Sequence, residues 1–268
     1  MTSIKQRIQQ GDQVLGSFAF IPSPDVVEIM ALAGLDFVIV DAEHQTPDWE
    51  ALRNMVRAGE IHGMAVLVRV PENSAVWIKH VLEAGAQGVM VPFIQTASDA
   101  ERAYSYTMYP PQGARGVCPL TRPARYGLNR LDFEGSARRS NENTLLIGIV
   151  EDATGMDNIE SIASVSPGLD VIYLGLSDLA ASLGVPGQRD HPLVRDRVER
   201  AAMFLGTIAN RSGAPLGGMQ VHDVEALKTW LQRGFRVVSV SSDTTILGEA
   251  TRNLVALAAA AGKQRSPS

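Results

Sequence analysis

Two carboxylates stand at the ends of two apolar runs. Leu145-Leu146-Ile147-Gly148-Ile149-Val150 leads straight into Glu151-Asp152, and Asp170-Val171-Ile172-Tyr173-Leu174-Gly175 leads into Leu176-Ser177-Asp178. Runs of that length read as strands buried on both faces. An acid at the end of such a strand sits where the chain leaves the core and meets solvent. Glu151 and Asp178 on successive strands can share one hard divalent cation, Mg²⁺ or Mn²⁺ and less often Co²⁺ or Zn²⁺. Each can instead cap the helix that follows, and Asp152 reads as such a cap.

Other strand ends carry groups of matching use. Arg69 closes an otherwise apolar run, where a guanidinium can hold a carboxylate or a developing enolate oxygen. Its structural alternative is an ion pair with Asp41 or Glu43. His44 follows those two acids and suits a general base, although a lone histidine is as readily structural. His222 is a weaker candidate of the same kind. His62, His80 and His191 fall on helices or loops away from this rim. The lysines are Lys5, Lys79, Lys228 and Lys263, none of them at a strand end, which argues against Schiff-base chemistry. Cys118 has no local histidine to activate it. Gly217-Gly218 and Ser241-Ser242 lie where barrels often hold phosphate, but Asp243 would repel an anion and reads as a helix cap.

These groups must be positioned by a regular frame. The pattern predicts strands over 15–20, 37–40, 65–68, 88–91, 145–150, 171–174, 215–219 and 236–240. Helices are predicted over 24–33, 48–61, 74–84, 98–107, 155–165, 192–211, 224–232 and 245–261, with an added N-terminal helix over 4–10. Strict alternation implies a parallel sheet, and eight repeats in about 250 residues are the mark of a closed (β/α)8 TIM barrel. An open doubly wound sheet would want a glycine-rich turn after the first strand, where Phe20-Ile21-Pro22-Ser23-Pro24 stands instead. The stretch 109–143, rich in Pro, Gly and Arg, reads as one long functional loop. Residues 1–268 are expected to form one barrel domain, with 263–268 a polar tail.

Composition narrows the function. The chain has 268 residues, net charge −5, 45% hydrophobic and 20% charged residues. Without a basic cluster, nucleic acid is an unexpected partner. Neither a signal peptide nor a membrane-spanning run is legible. One cysteine excludes an internal disulfide and points to a reducing, cytoplasmic setting.

Read together, the motifs resemble a known family. Asp41-x-Glu43-His44, Arg69-Val70-Pro71, Ile78-Lys79 before Gly85-Ala86, Tyr109-Pro110-Pro111-Gln112-Gly113-Ala114-Arg115-Gly116, Glu151, Gly175-x-x-Asp178-Leu179 and Asp243-Thr244-Thr245 occur in order. The chain resembles the class II pyruvate aldolases of the 4-hydroxy-2-oxoheptanedioate aldolase family. Those are relatives of the 2-keto-3-deoxyglucarate aldolases and, more distantly, of citrate lyase beta chains. The resemblance spans nearly the whole chain.

It implies a carbon–carbon lyase: reversible, metal-dependent aldol cleavage of a 4-hydroxy-2-oxo acid to pyruvate (or hydroxypyruvate) and an aldehyde, in the catabolism of aromatic compounds or sugar acids. Glu151 and Asp178 would bind the cation. Arg69 would stabilise the enolate oxygen, and the amides of Ser177 and Asp178 would hold the pyruvate carboxylate. His44, oriented by Asp41, would move protons, with Glu83 reaching a neighbouring subunit's histidine. A homohexamer, a trimer of dimers exchanging the last helix, is implied. Three positions depart from the family pattern: Ile149 for Gln, Glu83 for Asp and Leu176 for Pro. Two other readings are a citrate- or malyl-type CoA-ester lyase, with Arg122, Arg125 and Arg130 facing the nucleotide, and a non-catalytic barrel.

Overall fold

The computed structural model describes residues 2–128 and 130–261. The polar tail expected at 263–268 lies outside the described residues. Eight parallel strands close into one barrel in chain order. They are β1 (Val14–Ala19), β2 (Phe37–Asp41), β3 (Ala65–Arg69), β4 (Gly88–Val91), β5 (Leu145–Val150), β6 (Val171–Leu174), β7 (Leu216–Val221) and β8 (Val237–Ser242). The helices are α1 (Ile4–Gln9), α2 (Pro24–Leu32), α3 (Trp49–Ile61), α4 (Ala75–Ala84), α5 (Ala97–Thr107), α6 (Phe133–Asn143), α7 (Ala153–Asp157), α8 (Ile159–Ala163), α9 (Leu176–Ser182), α10 (Pro192–Ile208), α11 (Val224–Gln232) and α12 (Asp243–Ala260).

Each strand is buried on both faces, and the two faces form two cores. Phe37 and Ile39, Leu67, Met90, Ile147 and Ile149, Val171 and Tyr173 fill the barrel interior. Their alternates, such as Val38, Val66, Val89, Leu146 and Ile172, pack outward under the helices. This period of two fixes which strand-end residues face inward. Asp41 continues the inner row of β2, Arg69 that of β3, and Glu151 that of β5.

The opposite end of the barrel is closed by α1, whose Ile4 and Ile8 join the interior core. A repeated device ties the strands there. Asp36 Oδ2 accepts the N–H of Leu15 at 2.9 Å, Gln87 Oε1 that of Val66 at 2.8 Å, and Asp170 Oδ2 that of Leu146 at 2.9 Å. Each acceptor directly precedes an even-numbered strand and pins the start of the odd-numbered one beside it. Burial raises the Asp170 pKa, and Lys5 opposes that from 2.9 Å while donating to Thr144 O. Lys5→Met therefore strands a largely buried carboxylate, and a loss of about 3 kcal/mol is expected in urea unfolding. Adding Asp170→Asn should return part of that loss, because the stranded charge is then gone.

The long loop expected over 109–143 contains two short 3-10 turns (Arg125–Gly127 and Arg130–Asp132) and all of α6. The helix shows no apolar stripe; of its eleven residues Gly135 and Asn141 are buried. Asn141 brackets Tyr109, accepting its N–H at 2.8 Å and donating to its carbonyl at 3.0 Å. The helix expected over 155–165 is broken at Asn158 into α7 and α8, and α9 was not expected at all.

Candidate active site

Glu151 and Asp178 line one cavity of about 690 Å³ at the C-terminal end of the barrel, together with His44, Arg69 and Ser177. That volume suits a small-molecule site. Glu151 is buried, and its Oε1 accepts the N–H of Phe93 at 2.9 Å. Phe93 presents that N–H from a left-handed backbone with φ 51°. Glu151 is therefore fixed by the β4–α5 turn and is not the cap of a helix. Asp152 does the capping, accepting the N–H of Gly155 at 2.7 Å. Asp178 lies in the first turn of α9 and makes no cap bond; Gly175 holds the N-cap position.

Gly175 has a steric reason to be glycine. A Cβ there would stand 2.5 Å from Glu151 Cβ and 2.9 Å from its Oε2. The close approach of β6 to β5 brings Asp178 to the Glu151 side of the mouth.

Burial is the largest influence on Glu151 and pushes its pKa up to about 7; the charges of Glu43 and Asp178 act in the same direction. Such a group is short of positive charge. Two carboxylates and water oxygens form a donor set suited to a hard divalent cation. Among the described residues no group of three or more His, Cys, Asp or Glu stands close enough to hold a metal. Glu151 and Asp178, facing one cavity, are the two carboxylates that could contribute to such a shell.

Arg69 is gripped on three sides. Its Nε donates to Asp41 Oδ1 at 2.8 Å, its Nη1 lies 3.1 Å from Glu43 Oε2, and its guanidinium sits 5.2 Å from the centre of the Phe18 ring. The ion pair that was the structural alternative for Arg69 is present with both acids, and the guanidinium still lines the cavity. Pairing and exposure to substrate are compatible here because the fork has donors to spare.

Asp41 differs from its expected use. Its carboxylate accepts the backbone N–H groups of Glu43 (3.1 Å) and His44 (3.2 Å) besides Arg69, and its side chain is fully buried. It does not hold the imidazole. The His44 side chain is 56% exposed, with Nε2 3.9 Å from Glu43 Oε2. Asp41 thus positions Arg69 and the chain leading to His44. Glu83 is on α4 outside this cavity, close enough to Tyr109 and Arg115 to influence both. Asp243 is not the cap of α12; Ser242 is, and the Asp243 carboxylate holds the N–H groups of Phe20 and Ile21.

Phe18 was not singled out from sequence, and Glu43 only as a flank of His44 and an alternative ion-pair partner of Arg69. Glu43 Oε2 is buried without a hydrogen-bond partner, since Arg69 Nη1 is near but poorly aligned. Burial raises the Glu43 pKa, partly offset by Arg69. The available signal was its place two residues beyond Asp41. Arg122 and Arg125 line a separate cavity against Gln87 and Thr144, at the other end of the barrel. The basic groups invoked for CoA are therefore not brought to this mouth.

The chain is similar to known proteins over most of its length. The model of the HpcH/HpaI aldolase/citrate lyase family matches residues 15–250. A 5-keto-4-deoxy-D-glucarate aldolase of Klebsiella pneumoniae is 35% identical over 240 residues, 90% of this chain and 90% of its own length. A hydroxypyruvate/pyruvate aldolase of Sagittula stellata is 34% identical over 243 residues, 91% of this chain and 92% of its own. The crystal structure of an HpcH/HpaI aldolase/citrate lyase family protein from Burkholderia cenocepacia superposes with a TM-score of 0.85 at 33% identity, covering 95% of this chain and 98% of that one. The citrate synthase SbnG superposes at 0.86 with 29% identity, covering 98% of this chain and all of that one.

Proposed function

Because the chain belongs to the HpcH/HpaI aldolase/citrate lyase family, we propose that it cleaves a 4-hydroxy-2-oxo acid, reversibly, to pyruvate or hydroxypyruvate and an aldehyde. The observation that carries this reading is Arg69 facing the same cavity as Glu151 and Asp178. A divalent cation held by those two carboxylates, Mg²⁺, Mn²⁺ or Co²⁺, would supply Lewis-acid polarisation of the 2-oxo group.

The chain's own residues account for the rest. His44 takes the proton of the C4 hydroxyl. The C3–C4 bond breaks, the aldehyde departs, and the electron pair remains on the three-carbon fragment as an enolate. Arg69, already oriented by Asp41 and Glu43, donates to the C2 oxygen where charge develops. The free N–H groups of Ser177 and Asp178 at the start of α9 hold the carboxylate. Returning a proton to C3 completes pyruvate. Glu83 lies outside its own chain's cavity, which is compatible with the role the family resemblance implies for it, reaching the histidine of a neighbouring copy. The direct test is pyruvate release from a 4-hydroxy-2-oxo acid, read by lactate dehydrogenase. Release that stops with chelator and returns with Mn²⁺ supports the reading, and chelator-insensitive release contradicts it.

The assembly proposed is a trimer of dimers. In its support, α12 buries no residue but Asp243 and exposes Ile246, Leu247, Leu254, Val255 and Leu257. A helix with that much open apolar surface is made to pack on another chain. No helix among the described residues is long and apolar enough to cross a membrane, and we place the enzyme in the cytoplasm.

The raised Glu151 pKa sets a pH dependence. An ordinary glutamate titrates near 4.5, and Glu151 near 7. Between those values the metal-free native state keeps a proton that the unfolded chain releases. Its contribution to stability is whole below about 4.5 and is lost as pH rises to about 7. A cation needs the ionised form, so its affinity should fall about tenfold per pH unit below about 7. Thermal midpoints measured from pH 5 to 8, with and without Mn²⁺, should diverge as pH rises.

A further inference from the structure

Far from the reacting groups, the fold buries a cation that meets no anion. Arg115 is 4% exposed and lines the cavity of about 570 Å³ at the other end of the barrel, with Gln87 and Thr144. Its backbone N–H donates to Met108 O at 3.0 Å, which holds the chain against the end of α5. The guanidinium stacks 4.3 Å from the centre of the Tyr109 ring, and Nη1 donates to Ser140 Oγ at 3.3 Å. Nε is buried with no hydrogen-bond partner. Among the described residues Arg115 makes no ion pair. Arginines are almost never buried in that state. Glu83 is near enough to act through its charge but forms no ion pair with it. Burial is the largest influence and lowers the Arg115 pKa, as for a guanidinium short of a counter-ion.

The rest of this lining adds positive charge. Arg122 and Arg125 stand on the same wall, and Glu60 is its one carboxylate. Glu60 is committed to Arg122. Arg115 and Arg125 are then free of ion pairs among the described residues, in a chain whose net charge is −5. The backbone around Arg125 is unusual. Arg125 and Tyr126 are successive non-glycine residues in the left-handed region, with φ 53° and 52°. The hydroxyl groups of Ser140 and Thr144 belong to the same lining.

We propose that this end of the barrel carries a second ligand site, where Arg115 and Arg125 bind a small oxyanion, a carboxylate or a phosphate. A guanidinium suits either group, because its parallel N–H donors match two of the ligand's oxygens. Such an anion would give Arg115 the counter-charge that the chain itself withholds. The cavity is large enough for a small molecule rather than a bare ion. Glu151, Asp178 and Arg69 line the opposite mouth, so this site does not depend on the aldol chemistry.

The test is calorimetric titration of the metal-stripped protein with malonate and, separately, with inorganic phosphate, in a chloride buffer of low ionic strength. At least one of them should bind. Malonate alone assigns a carboxylate, phosphate alone a phosphate group, and both the chemistry they share. Arg115→Met should weaken binding by about tenfold or more, the range of a hydrogen bond to a charged group. That variant removes a buried side chain, so the exposed Arg125→Met is its companion. It should weaken binding by a similar factor while the thermal midpoint of the free protein stays unchanged. Arg125→Lys should restore part of the affinity. Binding left unchanged by Arg125→Met places the anion elsewhere, Arg69 at the opposite mouth included, and overturns the site. A wild-type protein that binds neither anion at about 10 mM overturns it as well.

Discussion

Replacing Arg69 with methionine is expected to lower kcat for carbon–carbon cleavage by about 10²–10³-fold, the loss typical of removing one preorganised oxyanion donor. The same change removes the cation that touches both Asp41 and Glu43. Those buried acids then lose their countercharge, Asp41 keeping only the N–H groups of Glu43 and His44, so a loss of about 3 kcal/mol in stability should accompany the loss in rate. The two effects separate in Arg69→Lys. A lysine keeps the charge but cannot reach Asp41, Glu43 and substrate with one planar fork. Stability should largely return, while kcat stays low. Urea unfolding and steady-state kinetics on the two variants read this directly. A methionine variant with wild-type kcat would reduce Arg69 to a structural ion pair.

Glu151→Gln should have the opposite sign on stability. The amide oxygen can still accept the Phe93 N–H, and the buried charge is gone. The metal-free variant should be more stable than the wild type at pH 8, by up to about 3 kcal/mol, the equivalent of moving a pKa from 4.5 to about 7. Cation affinity should fall by more than the 10–100-fold typical of outer-shell changes, and activity with it. Gain of stability with loss of activity is expected where a site holds charge for function. A Glu151→Gln enzyme that keeps metal-dependent cleavage would remove Glu151 from the site.

The barrel was legible because its strands are apolar on both faces and its helices carry stops such as Gly85, at φ 106°. Strands β4, β5 and β6 have the bounds expected from sequence. Three helical features were not legible, for one physical reason. α6 packs few apolar residues, α9 spans two turns, and the α7–α8 break falls at one residue, so none carries a long periodic stripe.

At the site, the strand parity that places Asp41, Arg69 and Glu151 inward is present in the sequence. The partners of each group depend on tertiary contact. That is why Asp41 was expected to orient the His44 ring and instead serves Arg69 and two backbone amides. Phe18 under Arg69 and the contact of Arg189 with His222 join segments far apart in the chain. No local pattern announces them.

The central claim is that Glu151, Asp178 and Arg69 form a cation-assisted enolate site for pyruvate. Metal-stripped protein would be incubated with pyruvate in D₂O, and the methyl signal followed by NMR before and after Mg²⁺ or Mn²⁺ is added. The account predicts methyl exchange that begins with the cation, disappears in Glu151→Gln and weakens in Arg69→Ala. Absence of exchange with every divalent cation tried, or exchange that persists in Glu151→Gln, would contradict it.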